Sequence, residues 1–136
     1  FAEKQRIFSR RIHAAPQVPP STRAVIALLR EAGYKLAVVT SSSGAEVRPL
    51  LESNGVYTHM DACVYAEDVR HKKPDPEPYL TAKARLGVQR ALVLEDSPAG
   101  MASARAAGCE VLTVTEVGAV GKLLCAALGL SGEGCS

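Results

Sequence analysis

The stretch Ala91-Leu92-Val93-Leu94-Glu95-Asp96-Ser97-Pro98-Ala99-Gly100 is an apolar run that ends in two carboxylates and turns straight into a helix start. An unbroken apolar run reads as a strand buried on both faces, the pattern of a parallel sheet. Ser97 is an N-cap residue and Pro98 suits the first helical position, so an alanine-rich helix should follow and end at Gly108. A strand that feeds a helix and then another strand, Val111–Val114, is a right-handed βαβ crossover. The fold class is therefore α/β, a three-layer parallel sheet with helices on both faces.

The alternation continues on either side. Ser21 is a cap for a helix from Thr22 to Ala32, whose apolar stripe is Val25, Ile26, Leu28 and Leu29 and which Gly33 ends. Lys35–Thr40 is a second buried strand. Ser43 and Glu46 form a capping-box pattern for a helix that stops near Gly55, with Pro49 forcing a later start or a bend. Ala62–Tyr65 is a short strand, Asp75 caps a helix that opens on Pro76, and Gly87 closes that helix. Residues 119–130 are amphipathic and helical, and 131–136 form a flexible tail. Residues 2–12 read as a polar helix, and the prolines between Ala14 and Pro20 as a linker.

The chain has 136 residues, 47% of them hydrophobic, which is material for one domain with a real core. A formal charge of +2 gives no reason to expect nucleic acid. Lys4, Arg6, Arg10 and Arg11 are a solvated helix face or a docking surface. Cys63, Cys109, Cys125 and Cys135 contain no CxxC pair, and His13, His59 and His71 complete no zinc spacing. Free thiols in the cytoplasm are the expectation. No run approaches the ~20 apolar residues of a membrane span, and no signal-peptide pattern is visible, so no membrane partner is expected.

Three polar groups follow apolar runs, and in an open α/β sheet such strand ends converge on one crevice. Thr40, Ser41 and Ser42, with the helix amides behind them, suit a phosphate, although ordinary capping of the next helix also explains them. Lys73 is held extended by Pro74 and could neutralise a phosphoryl group, although a surface lysine at a turn looks the same. Glu95 and Asp96 suit Mg²⁺, which takes one or two protein carboxylates and keeps waters, although an N-cap and a surface charge would serve as explanation too. One site for a phosphate beside a cation accounts for all three features together.

With these motifs the chain resembles the haloacid dehalogenase-like superfamily, in its branch of phosphoglycolate phosphatases and β-phosphoglucomutases. Gly33–Ser42 looks like the second family motif, Lys73-Pro74-Asp75-Pro76 with Tyr79 like the third, and Leu92–Gly100 followed by Ala106-Ala107-Gly108 like the fourth. The resemblance covers about Ser21 to Val114 and implies a Rossmann-like core over 21–130, preceded by the end of a helical cap and linker over 1–20. It implies that Lys73 and Thr40 are catalytic, that Thr40, Ser41, Ser42 and Lys73 bind phosphate, and that Asp96 and Glu95 hold Mg²⁺. The first family motif, an Asp-x-Asp pair whose first aspartate is the nucleophile, has no counterpart, since no aspartate precedes Asp61. That motif lies on a strand between those equivalent to Lys35–Thr40 and Ala91–Leu94. Without it the sheet is incomplete, and the two strands must pair directly, leave a gap or borrow a strand, which invites a homodimer.

The implied function is a Mg²⁺-dependent phosphatase acting on small phosphorylated metabolites through an aspartyl-phosphate, with this chain inactive on its own. The alternative is a non-catalytic phosphate-binding or interaction remnant. A two-component receiver or another flavodoxin-like fold also gathers acids and a lysine at strand ends, but the Lys-Pro-Asp-Pro and Glu-Asp-Ser-Pro-Ala-Gly contexts argue against it.

Overall fold

A computed structural model of the chain describes residues 18–132 and Cys135. The expected helix over 2–12 and most of the linker after it lie outside the described residues. Among the described residues four strands alternate with five α-helices: α1 Pro20–Glu31, β1 Ala37–Val39, α2 Gly44–Ser53, β2 Ala62–Val64, α3 Glu77–Leu86, β3 Leu92–Glu95, α4 Pro98–Ala106, β4 Glu110–Thr113 and α5 Val120–Leu128.

The strands are parallel and form two pairs. β1 pairs with β2, Ala37 opposite Ala62 and Val39 opposite Val64. β3 pairs with β4, Leu92 opposite Glu110 and Glu95 opposite Thr113. The pairs are not hydrogen-bonded to each other. Leu36 O accepts from Ala62 N and Thr40 N donates to Val64 O, so the backbone groups of Ala37 and Val39 face away from β2. Ala91 O and Glu95 O accept from Glu110 N and Val114 N, so those of Leu92 and Leu94 face away from β4. Of the outcomes foreseen for β1 and β3, the described residues show a gap.

Side-chain alternation sorts the helices into layers. Leu36, Val38, Leu92 and Leu94 pack with Val25, Ile26 and Leu29 of α1, Val47 and Leu51 of α2 and Leu124 of α5. Ala37, Val39, Val64 and Val93 pack with Tyr79, Ala82 and Leu86 of α3 and Ala104 of α4. Strands buried on both faces need the continuous apolar runs seen in the sequence.

Local expectations fare unevenly. Ser97 caps α4, accepting from Gly100 N at 3.1 Å. Ser43 caps α2, which begins at Gly44 and runs through Pro49. Ser21 does not cap α1: Pro19 is its N-cap and Pro20 its first residue, because a proline that needs no amide partner starts the helix a turn edge earlier. Asp75 is not the N-cap of α3, a place taken by Pro76, yet its Oδ1 accepts from Glu77 N at 2.9 Å.

The free-thiol expectation needs a larger correction. Cys125 in α5 and Cys135 form a disulfide, because Leu130 N bonds back to Cys125 O and the chain past Gly129 folds over α5. Residue 135 is thereby tied to the helix rather than loose. Only Cys63 and Cys109 are free among the described residues, so thiol content no longer argues for a reducing compartment. No described helix is long and apolar enough to cross a membrane.

Candidate functional site

Lys73 bridges the C-terminal ends of β1 and β3 across the gap between them. Its Nζ donates to Val39 O at 3.2 Å and to Glu95 Oε2 at 2.5 Å. The lysine side chain is 10% exposed and that of Glu95 2%, so this ion pair is almost fully removed from water. Pro74 follows directly, and the loop is clamped from below. Glu77 accepts from Arg70 N at 2.7 Å, from His71 N at 3.2 Å and from the His71 ring, while Ser103 Oγ of α4 donates to Asp75 O at 2.6 Å.

Glu95 is enclosed by donors. Oε2 accepts from Tyr79 Oη at 2.6 Å as well as from Lys73, and Oε1 accepts from Asp96 N at 3.1 Å and Ser97 Oγ at 3.4 Å. A Cβ on Gly100 would lie 2.0 Å from Glu95 Cδ, so only glycine lets α4 sit this close to the carboxylate. Burial pushes the Glu95 carboxyl up, but the charge and hydrogen bond of Lys73, then Tyr79 and the Asp96 amide, more than offset this and hold it below the usual carboxylate range. The group is an anion with its lone pairs in use, a counter-charge that keeps Lys73 at the mouth of the crevice.

Asp96, the next residue, is exposed, and its carboxylate makes no hydrogen bond among the described residues. Of the two acids expected to hold a cation, Asp96 is the one with oxygens to offer. At the other side of Lys73, Thr40 is 7% exposed and its Oγ1 accepts from Ser42 N at 3.1 Å, leaving the hydroxyl proton for a ligand oxygen. Ser41 is exposed on the same turn, and Ser42 O accepts from Ala66 N. The first amides of α2 were expected to face the ligand. Instead Gly44 N donates to both oxygens of Glu67, at 3.1 and 3.0 Å, and Glu46 N to Ser43 Oγ, so the cradle reduces to the Thr40 turn.

Lys73, Glu95 and the start of the Thr40 turn are thus in one place, with Asp96 beside them. Such a set can neutralise an anionic oxygen with an ammonium, donate one hydroxyl to it and offer one carboxylate to a hard cation. Sequence reasoning placed Tyr79 with the third motif and gave it no role in the site. The signal for it was a tyrosine on the buried stripe of α3, since a buried phenol needs a hydrogen-bond partner. Glu67 was missed as well, and no local pattern marks it.

Residues 2–114 match the family of haloacid dehalogenase-like hydrolases. A phosphorylated carbohydrates phosphatase from Thermotoga maritima is 34% identical over 110 residues, 79% of this chain and 49% of its own length. The plasmid phosphoglycolate phosphatase of Cupriavidus necator is 38% identical over 97 residues, 70% of this chain and 42% of its own. The crystal structure of CbbY from Rhodobacter sphaeroides in complex with phosphate superposes with a TM-score of 0.65 at 31% identity, covering 72% of this chain and 47% of that one. The chain spans about half the length of the curated relatives it matches.

Proposed function

The chain belongs to the haloacid dehalogenase-like hydrolases, and from that membership we propose that it carries the phosphate- and cation-holding part of a Mg²⁺-dependent phosphatase for small phosphorylated metabolites. The observation that carries this reading is the pair of hydrogen bonds that the Lys73 ammonium donates, to Val39 O at the end of β1 and to Glu95 at the end of β3. It puts a fixed positive charge between the Thr40 turn and Asp96, where a phosphoryl group is a natural guest. The relatives described as phosphatases and the phosphate in the CbbY structure support the same guest.

Asp96 fits Mg²⁺, being an exposed carboxylate at a strand end with oxygens uncommitted among the described residues, and Glu95 backs it from the buried side. Bound Mg²⁺ would supply neutralisation of charge on the phosphoryl oxygens. Thr40 and Lys73 bind and orient the phosphoryl group, and the buried Glu95 carboxylate holds the Lys73 ammonium in place. The nucleophilic aspartate is not among residues 1–60. We assign it to a strand that would complete the sheet between β1 and β3, whose facing backbone edges are unpaired with each other. The 136 residues alone would then hold phosphate without turning over an ester.

The test is to join the chain to a segment bearing such an Asp-x-Asp strand, taken from a phosphatase relative, and to assay small phosphate esters with Mg²⁺. Turnover that is abolished by Lys73→Ala and by Asp96→Ala is the expected result. A joined protein that folds yet is inert toward glycolate and sugar phosphates would overturn the reading and leave a non-catalytic module.

A further inference from the structure

We propose that Tyr79 is a positioning residue for Lys73, acting through the Glu95 carboxylate. Tyr79 is fully buried on α3, and its hydroxyl donates to Glu95 Oε2, the oxygen that also receives the Lys73 ammonium. The Tyr79 ring lies 5.1 Å from Lys73 Nζ, within the range at which an aromatic face attracts a cation. The phenol therefore meets the lysine twice, through its ring and through the shared oxygen.

The geometry of the carboxylate makes the hydroxyl matter. Oε1 is held by the Asp96 amide and Ser97, and Gly100 closes one side of the group. Oε2 is held by Lys73 and Tyr79. Of these two donors to Oε2, only Tyr79 is fixed in the packed core, and it limits rotation about the last side-chain bond of Glu95. A terminal sp³–sp² torsion is otherwise broad, so without the phenol Oε2 is anchored to the core only through the flexible Lys73 side chain, and carboxylate and ammonium can shift together over more positions. A tyrosine that merely filled the core would be replaced by phenylalanine without consequence for Lys73. α3 begins just after the Lys73 loop, so docking Tyr79, Ala82 and Leu86 in the core also sets where that loop lies.

The experiment compares wild-type chain with Tyr79→Phe, using the ¹⁵N–¹H signal of the Lys73 ammonium, assigned by its loss in Lys73→Gln, and inorganic phosphate as the probe ligand. A buried, bonded ammonium exchanges slowly and gives a separate signal in the wild type. In Tyr79→Phe that signal should move or vanish while the backbone spectrum stays folded, and the phosphate Kd should rise about tenfold, the worth of one hydrogen bond to a charged group. An unmoved Lys73 signal overturns the proposal whatever phosphate does. The phosphate arm alone rests on the function proposed above, so a wild-type chain that ignores phosphate counts against that function and not against the positioning. Should Tyr79→Phe fail to fold, 3-fluorotyrosine placed at 79 keeps the packing and acidifies the hydroxyl. The Lys73 signal then moves if the proposal is right and stays if it is wrong.

Discussion

Gly100 is dictated by a carboxylate rather than by its own backbone. Its Cα faces Glu95 so closely that an added methyl would overlap the carboxyl carbon. Gly100→Ala should therefore cost about 1–3 kcal/mol, as overpacking in a well-filled core does, and should also displace Glu95 from Lys73. Urea unfolding reads the first effect and phosphate binding the second. Glu77 makes a pH-dependent prediction. The amide hydrogen bond from Arg70, then the His71 ring and amide, lower its pKa. Its contribution to holding the Lys73 loop is present above the unfolded value and is lost as pH falls through the lowered folded value. The melting temperature of wild type should drop on that acid side, and Glu77→Gln should flatten the drop. The polar ends of the apolar runs could be read in advance, because Lys73, Asp96 and Thr40 sit in local patterns with a mechanism. The partnership of Lys73 with Glu95 could not, since it depends on how far the loop before α3 folds back over β3.

The elements were legible where a cap or an unbroken apolar run marks them. β3, α4 and the Gly87 end of α3 follow directly from Leu92–Glu95, Ser97-Pro98 and a glycine with φ +68°. Boundaries blurred where two residues could cap, as at the start of α1, where Pro19 is the N-cap and Ser21 lies inside the helix. The Cys125–Cys135 link was illegible because it depends on the chain turning back after Gly129, which spacing does not reveal. It makes a simple prediction. Unfolded without reductant, the chain should show two thiols, Cys63 and Cys109, and with reductant four. Folded, both free thiols should react slowly, because burial raises their pKa values. Cys135→Ser should lower stability by about 2–3 kcal/mol, the worth of closing a loop of this length, and an unchanged unfolding midpoint would speak against the link.

Across the whole molecule, two half-sheets share three layers of packing but not a hydrogen-bond ladder. The alternating pattern of strands and helices predicted the layers. Only the resemblance to a family, and not any property of the apolar runs, pointed to a strand between β1 and β3. The half-sheets are joined at their C-terminal ends by Lys73, so on the proposed function integrity there and affinity for a phosphoryl group depend on the same ammonium. Calorimetric titration of the 136-residue chain with inorganic phosphate, with and without Mg²⁺, measures that dependence. Phosphate should bind, Mg²⁺ should tighten it, and Lys73→Ala and Asp96→Ala should each weaken it by about tenfold or more, with the Mg²⁺ effect lost in the second. Phosphate affinity that is the same in wild type and both variants would contradict the convergence of Thr40, Lys73 and Asp96 on one anion.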